Sequence, residues 1–171
     1  NRTGQIFDYT RKKEVSYRRI FTPPNAPQWM KDREQLWNAV EQSETRKDAQ
    51  VAREIEVALP IELSPSQHII LLERFVHTQL TSKGMIADVV IHNKKNNPHA
   101  HILLTTREIN VTNDGFGKKN RDWNSKGQLD EWREQWAKHC NRRLSVACSQ
   151  SRIDHRSLKV QGLDQIPTCL L

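Results

Sequence analysis

Apolar residues recur along this chain with two different periods, and the switches between them mark out the elements. Between Trp29 and about Lys47, Trp29, Leu36, Trp37 and Val40 follow at spacings near three, four and seven, the period of a helix lying on a core. From Arg53 to Pro60 the period drops to two. Ile55, Val57 and Leu59 face one side and Glu54 and Glu56 the other, which predicts a half-buried strand. A second helix is predicted from Ser64, a natural N-cap, with Pro65 at its first position, to about Ser82. Its stripe is Ile69, Leu72, Phe75, Val76 and Leu80, and Gly84 supplies a stop. Two short apolar runs follow, Met85 to Ile91 and Ala100 to Thr106, joined by the polar connector 93–98, whose Asn and Pro content is turn chemistry. That is an antiparallel hairpin.

Elsewhere the pattern is weaker. Residues 1–19 are polar and basic, with an alternation compatible with a strand pair, and Pro23, Pro24 and Pro27 break regular structure after them. Residues 108–127 read as a polar loop holding Lys118, Lys119 and Arg121 beside Phe116 and Trp123. Leu129 to about Leu144 reads as a third helix, with Trp132, Trp136, Ala137 and Cys140 on one stripe that suits a core better than a stacking platform. Gln161-Gly162 suggests a turn near the end. The fold class is α+β: an antiparallel sheet with helices packed on one face and the other face left for chemistry. One domain spanning residues 1–171 is expected, because the length falls within the one-domain range and 36% of residues are hydrophobic.

The hairpin concentrates the candidate chemistry. His99 and His101 lie on one face of the second strand, and the turn brings His92 back beside them, so three imidazoles converge. Imidazole suits transition metals, and three ligands leave positions open, as a catalytic rather than a closed structural site requires. The blander alternative is three polar residues on a solvated strand face. His68, His77, His139 and His155 lack such company and read as ordinary surface or capping residues. The acidic face of the predicted strand at 53–60 raises the possibility of a carboxylate near the metal, able to orient a ligand or accept a proton.

Net charge narrows the partner. At +7 the natural partner is a polyanion, since Lys and Arg gain affinity by releasing the counterions of phosphates. Arg11, Lys12 and Lys13, with Arg18 and Arg19, are interleaved with Tyr9 and Tyr17, a combination that grips single-stranded DNA through phosphates and stacking; Lys118, Lys119 and Arg121 are the second candidate group. A solvated basic surface is the plainer explanation for both. Cys140, Cys148 and Cys169 form no CxxC pair and fit a reducing compartment, and no signal-peptide pattern or membrane-length apolar run is visible within residues 1–171.

His-hydrophobic-His after Asn97-Pro98 resembles the HUH signature of enzymes that nick single-stranded DNA. More specifically, DYTRK at 8–12, WNAVEQSETRKDAQVAREIEVALP at 37–60, GMIADVVIHNKKNNPHAHILLTTRE at 84–108, GFGKKNRDWN at 115–124 and DHRSLKVQG at 154–162 resemble MobA/MobL-type plasmid mobilisation relaxases, which include TraA-like conjugation proteins. The resemblance covers nearly the whole chain. It implies the palm-like HUH fold, and a tyrosine hydroxyl that attacks a DNA phosphate at the origin of transfer to leave a 5′-phosphotyrosyl link and a free 3′-hydroxyl. It also implies one divalent metal ion on His92, His99 and His101, Mn or Mg foremost with Zn, Ni or Co as alternatives, and Glu54 as the active-site acid. Accessory relaxosome proteins and a type IV secretion coupling protein are implied partners, in a bacterial cytoplasm. The family's nucleophile lies in an earlier segment resembling Ala-Ala-Tyr-Arg-Ser, which nothing here matches; Tyr9 and Tyr17 fit it poorly, so the nucleophile is expected upstream of Asn1. Competing expectations are an HUH replication initiator or transposase, and a non-catalytic basic DNA-binding module.

Overall fold

The computed structural model describes residues 15–110, 112 and 114–163. Its centre is a four-stranded antiparallel sheet in the order β1-β3-β4-β2, built from β1 (Val15–Phe21), β2 (Ala52–Ala58), β3 (Ala87–Lys94) and β4 (Asn97–Thr105). The helices are α1 (Arg33–Gln42), α2 (Pro65–Gln79) and α3 (Lys126–Val146), and a separate hairpin pairs β5 (Arg107–Asn110) with β6 (Gly115–Lys119). The α+β class expected from the sequence is the observed one.

Each strand of the sheet has an apolar side that makes the main core. Val57 of β2, Val89 and Ile91 of β3, and Ala100, Ile102 and Leu104 of β4 point at Leu71, Leu72, Phe75 and Val76 of α2 and at Trp132, Cys140 and Leu144 of α3. Phe75 is 1% exposed, and burial of a side chain of this kind stabilises by about 1.5–3 kcal/mol. The helices begin and end where their sequences direct. Ser64 caps α2 in a capping box with Gln67 and Pro65 in the first turn, and Gly84 adopts φ 92°, left-handed backbone, after the 3-10 turn that follows α2. In α3 the Trp132 stripe is core, and burial pushes the Cys140 thiol up to about 12, leaving an inert small hydrophobe.

Four features differ from the expectations above. The helix expected over 29–47 is a 3-10 turn at Gln28–Lys31 followed by the shorter α1, because Asp32 is extended and caps α1 through Gln35 N–H; α1 then ends at Gln42. The connector 93–98 is not a loop: β3 and β4 continue through it to the turn at Lys95-Asn96, where Asn96 accepts φ 63°. The loop expected over 108–127 contains the β5–β6 hairpin and a 3-10 turn at Asp122–Asn124. Trp123 is 7% exposed and packs beside Gly84, so it pins this segment to the core.

The fourth difference concerns the faces of the sheet. Among the described residues, α2 and α3 are the α-helices that cover the main core side; α1 lies across the opposite face, over its far end. There Met30, Leu36, Val40 and Ile86 form a second cluster with Ile20, Trp37 and Phe116. Asp88, buried in that face, fastens α1: Arg33 donates to it from Nε at 2.8 Å and Nη2 at 2.6 Å, and Trp37 Nε1 donates at 2.9 Å. His92 lies four positions along β3 from Asp88, about 13 Å on a strand, so the other end of that face stays open.

Candidate metal centre

The hairpin sets the histidines by register. His92 of β3 is the direct cross-strand partner of His99 of β4, and His101 lies two residues farther along the same face. The ring centroids are 5.2 Å apart for His92–His99, 5.0 Å for His92–His101 and 5.2 Å for His99–His101, a near-equilateral triangle. One nitrogen of each ring lies within 4.8 Å of the others, and all three residues are half-buried.

Hydrogen bonding selects which nitrogen is available. His99 Nδ1 lies 2.8 Å from the carbonyl oxygen of Asn97, and His101 Nδ1 lies 2.6 Å from Glu54 Oε1. Both partners are acceptors only, so both Nδ1 atoms carry the proton and donate it. The Nε2 lone pairs are left for a ligand. A carboxylate or carbonyl behind a ligating imidazole is the usual way such a ring is oriented and made more basic. The donor set therefore fits one divalent ion.

Glu54, singled out from the sequence as the active-site acid, is brought to the centre through His101. Alternation along β2 held as expected. Glu56 is the residue registered directly opposite His101, yet Glu54, registered opposite Leu103, reaches diagonally to make the bond. Tyr17 lies elsewhere: its hydroxyl donates to Glu73 of α2 at 2.8 Å, on the face away from the histidines. Burial and the hydrogen bond to the Glu73 carboxylate raise its pKa above the ordinary phenol value. Tyr9, Arg11, Lys12 and Lys13 lie outside the described residues.

The second cationic group is split. Lys118 and Arg121 are exposed, whereas Lys119 is committed to structure: its Nζ donates to Gln50 O at 2.6 Å and pairs with Glu44 at 3.0 Å. Glu44 is 5% exposed and also pairs with Arg107 at 2.9 Å. Burial would raise its carboxyl pKa, but the Arg107 and Lys119 bonds outweigh that and hold it below the usual range. Phe116 stacks edge-on against Trp29 with centroids 6.4 Å apart, which gives it a packing role. Of the remaining histidines, His68 departs from the surface or capping role expected for it. It is 4% exposed and its Nε2 donates to Pro60 O at 2.7 Å, tying α2 to the end of β2.

Two structural carboxylates, Asp88 and Glu44, were not legible in the sequence. Polar residues inside strongly apolar or charged runs carry no local mark of burial, and both are explained only by partners more than fifty residues away.

An antiparallel sheet that presents three convergent imidazoles, one backed by a carboxylate, is compatible with the HUH class of site. The MobA/MobL family model matches residues 1–171, and the chain belongs to that family. It is similar to the probable conjugal transfer protein TraA of Sinorhizobium fredii, 36% identical over 198 aligned residues that take in 98% of this chain and 18% of that protein. It is also similar to the probable mobilization protein MobA of Bifidobacterium longum, at 34% identity over 98% of this chain and 37% of that protein. A solved structure described as "Molecular Basis of Vancomycin Resistance Transfer in Staphylococcus aureus" matches with a TM-score of 0.85 at 38% identity, covering 92% of this chain and 83% of that one. The chain thus spans a minor part of the length of these two curated relatives. Among the described residues no helix is long and apolar enough to cross a membrane.

Proposed function

We propose that this chain is the nicking domain of a plasmid relaxase, which cuts one strand of DNA at an origin of transfer by tyrosine transesterification. The observation that carries the reading is the histidine triangle, with the Nδ1 protons of His99 and His101 turned outward, in a chain of the MobA/MobL family. His92, His99 and His101 would hold one divalent ion, Mn or Mg foremost, which when bound supplies positive charge to the scissile phosphate. Glu54 fixes the His101 ring and keeps its proton on Nδ1, which leaves Nε2 available to hold the ion. The open end of the sheet face admits the strand, while α1 closes the far end.

In the step itself a tyrosine oxygen bonds to phosphorus and the bond from phosphorus to O3′ breaks. The phenol proton is lost and the departing oxygen gains one. The link formed is a phosphodiester like the one broken, so the same site can rejoin the ends. Tyr17 does not supply the nucleophile, since its hydroxyl is held by Glu73 behind the sheet. Accessory relaxosome proteins and a secretion coupling protein in the bacterial cytoplasm are the partners this role calls for.

The test is nicking of a labelled single-stranded transfer-origin oligonucleotide, with Mn²⁺, by the protein in its full reading frame. His99→Ala and His101→Ala should each remove most of the cleavage and the covalent protein–DNA band. Unchanged cleavage in both variants would overturn the assignment. Cleavage confined to a replication origin would point to an initiator instead.

A further inference from the structure

Charge is unevenly distributed around the histidine triangle. Alternation along β3 puts Val90, His92 and Lys94 on the histidine face. On the neighbouring edge strand, Arg18 is registered against Val90, and Ile20 two residues on packs with the α1 cluster on that same face, which fixes the side on which Arg18 projects. Read across the sheet, one row is Arg18, Val90, His101, Glu56. Diagonal neighbours on adjacent strands are about 7–8 Å apart, so the Arg18 side chain reaches the space beside His92. Arg18 and Lys94 are exposed, and among the described residues neither forms a salt bridge. Arg19, one residue on, is by contrast held by Glu73 behind the sheet. The other side of the triangle, toward β2, carries Glu54 and Glu56.

We propose that Arg18 and Lys94 are phosphate-positioning residues, gripping the phosphates on either side of the one placed over the histidines. The DNA strand then runs from β1 toward the β3–β4 turn. Glu54 and Glu56 repel the backbone from the β2 side and keep that flank free for the incoming nucleophile. The inference rests on the nicking-domain reading and adds a direction and two contacts to it. It follows from the division of charge: a polyanion crossing this face meets cations along one path and carboxylates along the other.

The experiment titrates a thymidylate oligomer against the full chain in the presence of Mn²⁺ over a range of salt. Arg18→Ala and Lys94→Ala should each lower the slope of log affinity against log salt by about 0.7, and the double variant by about 1.4, with melting temperature and Mn²⁺ affinity unchanged. Arg18→Lys should restore the slope. Wild-type slope in both single variants would overturn the clamp. Neither result touches the nicking-domain reading, which fails separately if the wild-type chain binds no divalent metal.

Discussion

Replacing Glu54 by Gln keeps the length and an acceptor oxygen of the side chain and removes only its charge, so it isolates what the carboxylate does for His101. The bond is short, 2.6 Å from Nδ1 to Oε1, but Glu54 is 58% exposed, which screens its charge. Loss of such a partner typically weakens metal binding 10–100-fold, and the exposure argues for the lower end, about tenfold or 1.4 kcal/mol. Isothermal titration with Mn²⁺ measures it directly. Glu56→Gln is the control: Glu56 is registered opposite His101, yet the bond goes to Glu54. It should move the affinity by less than about threefold, as expected for an exposed charge with no bond to the ligand. Cleavage by Glu54→Gln should slow without loss of oligonucleotide affinity, since the charge removed is one that repels the strand. Equal effects of the two substitutions would show that only the summed negative charge matters and that the orienting bond is irrelevant.

Glu44→Gln should destabilise the fold at neutral pH by roughly 3 kcal/mol, because it leaves Arg107 and Lys119 without their buried counter-charge. The sign of its pH dependence follows from its lowered pKa: the wild-type stabilisation is present above the ordinary value of 4.5 and fades as pH falls through the folded value. Melting curves of the two proteins should therefore converge in acid; parallel curves would contradict the pairing. Tyr17→Phe should cost about 1 kcal/mol of stability through the lost bond to Glu73 and leave nicking and the covalent band at wild-type level, and loss of the band would move the nucleophile to Tyr17.

The histidine site was legible in the sequence because its information is local. A hairpin with Asn96 at its turn, and a two-residue period on each strand, place His92, His99 and His101 on one face without reference to anything else in the chain. The same period put Glu54 on that face, although the choice of Glu54 over Glu56 as His101's partner depends on side-chain reach that alternation does not encode. What was hidden was non-local or compositionally disguised. The β5–β6 strands consist of Arg-Glu-Ile-Asn and Gly-Phe-Gly-Lys-Lys, too polar and glycine-rich to show a strand period. Lys119 reads as a free cation until Glu44, seventy-five positions earlier, is seen against it. Likewise α1 crosses the histidine face because Asp88 interrupts an apolar strand and recruits Arg33 and Trp37.

The central claim is that three imidazoles of one hairpin share one divalent ion. The most direct measurement is Mn²⁺ titration of the chain followed by electron paramagnetic resonance of the free ion, in wild type and in His92→Ala, His99→Ala and His101→Ala. A shared centre requires one ion per chain in the wild type and a large loss of affinity in every variant, each having lost one of three ligands. Retention of wild-type affinity in any one of the three would remove that histidine from the centre, and retention in all three would leave the triangle as a solvated strand face.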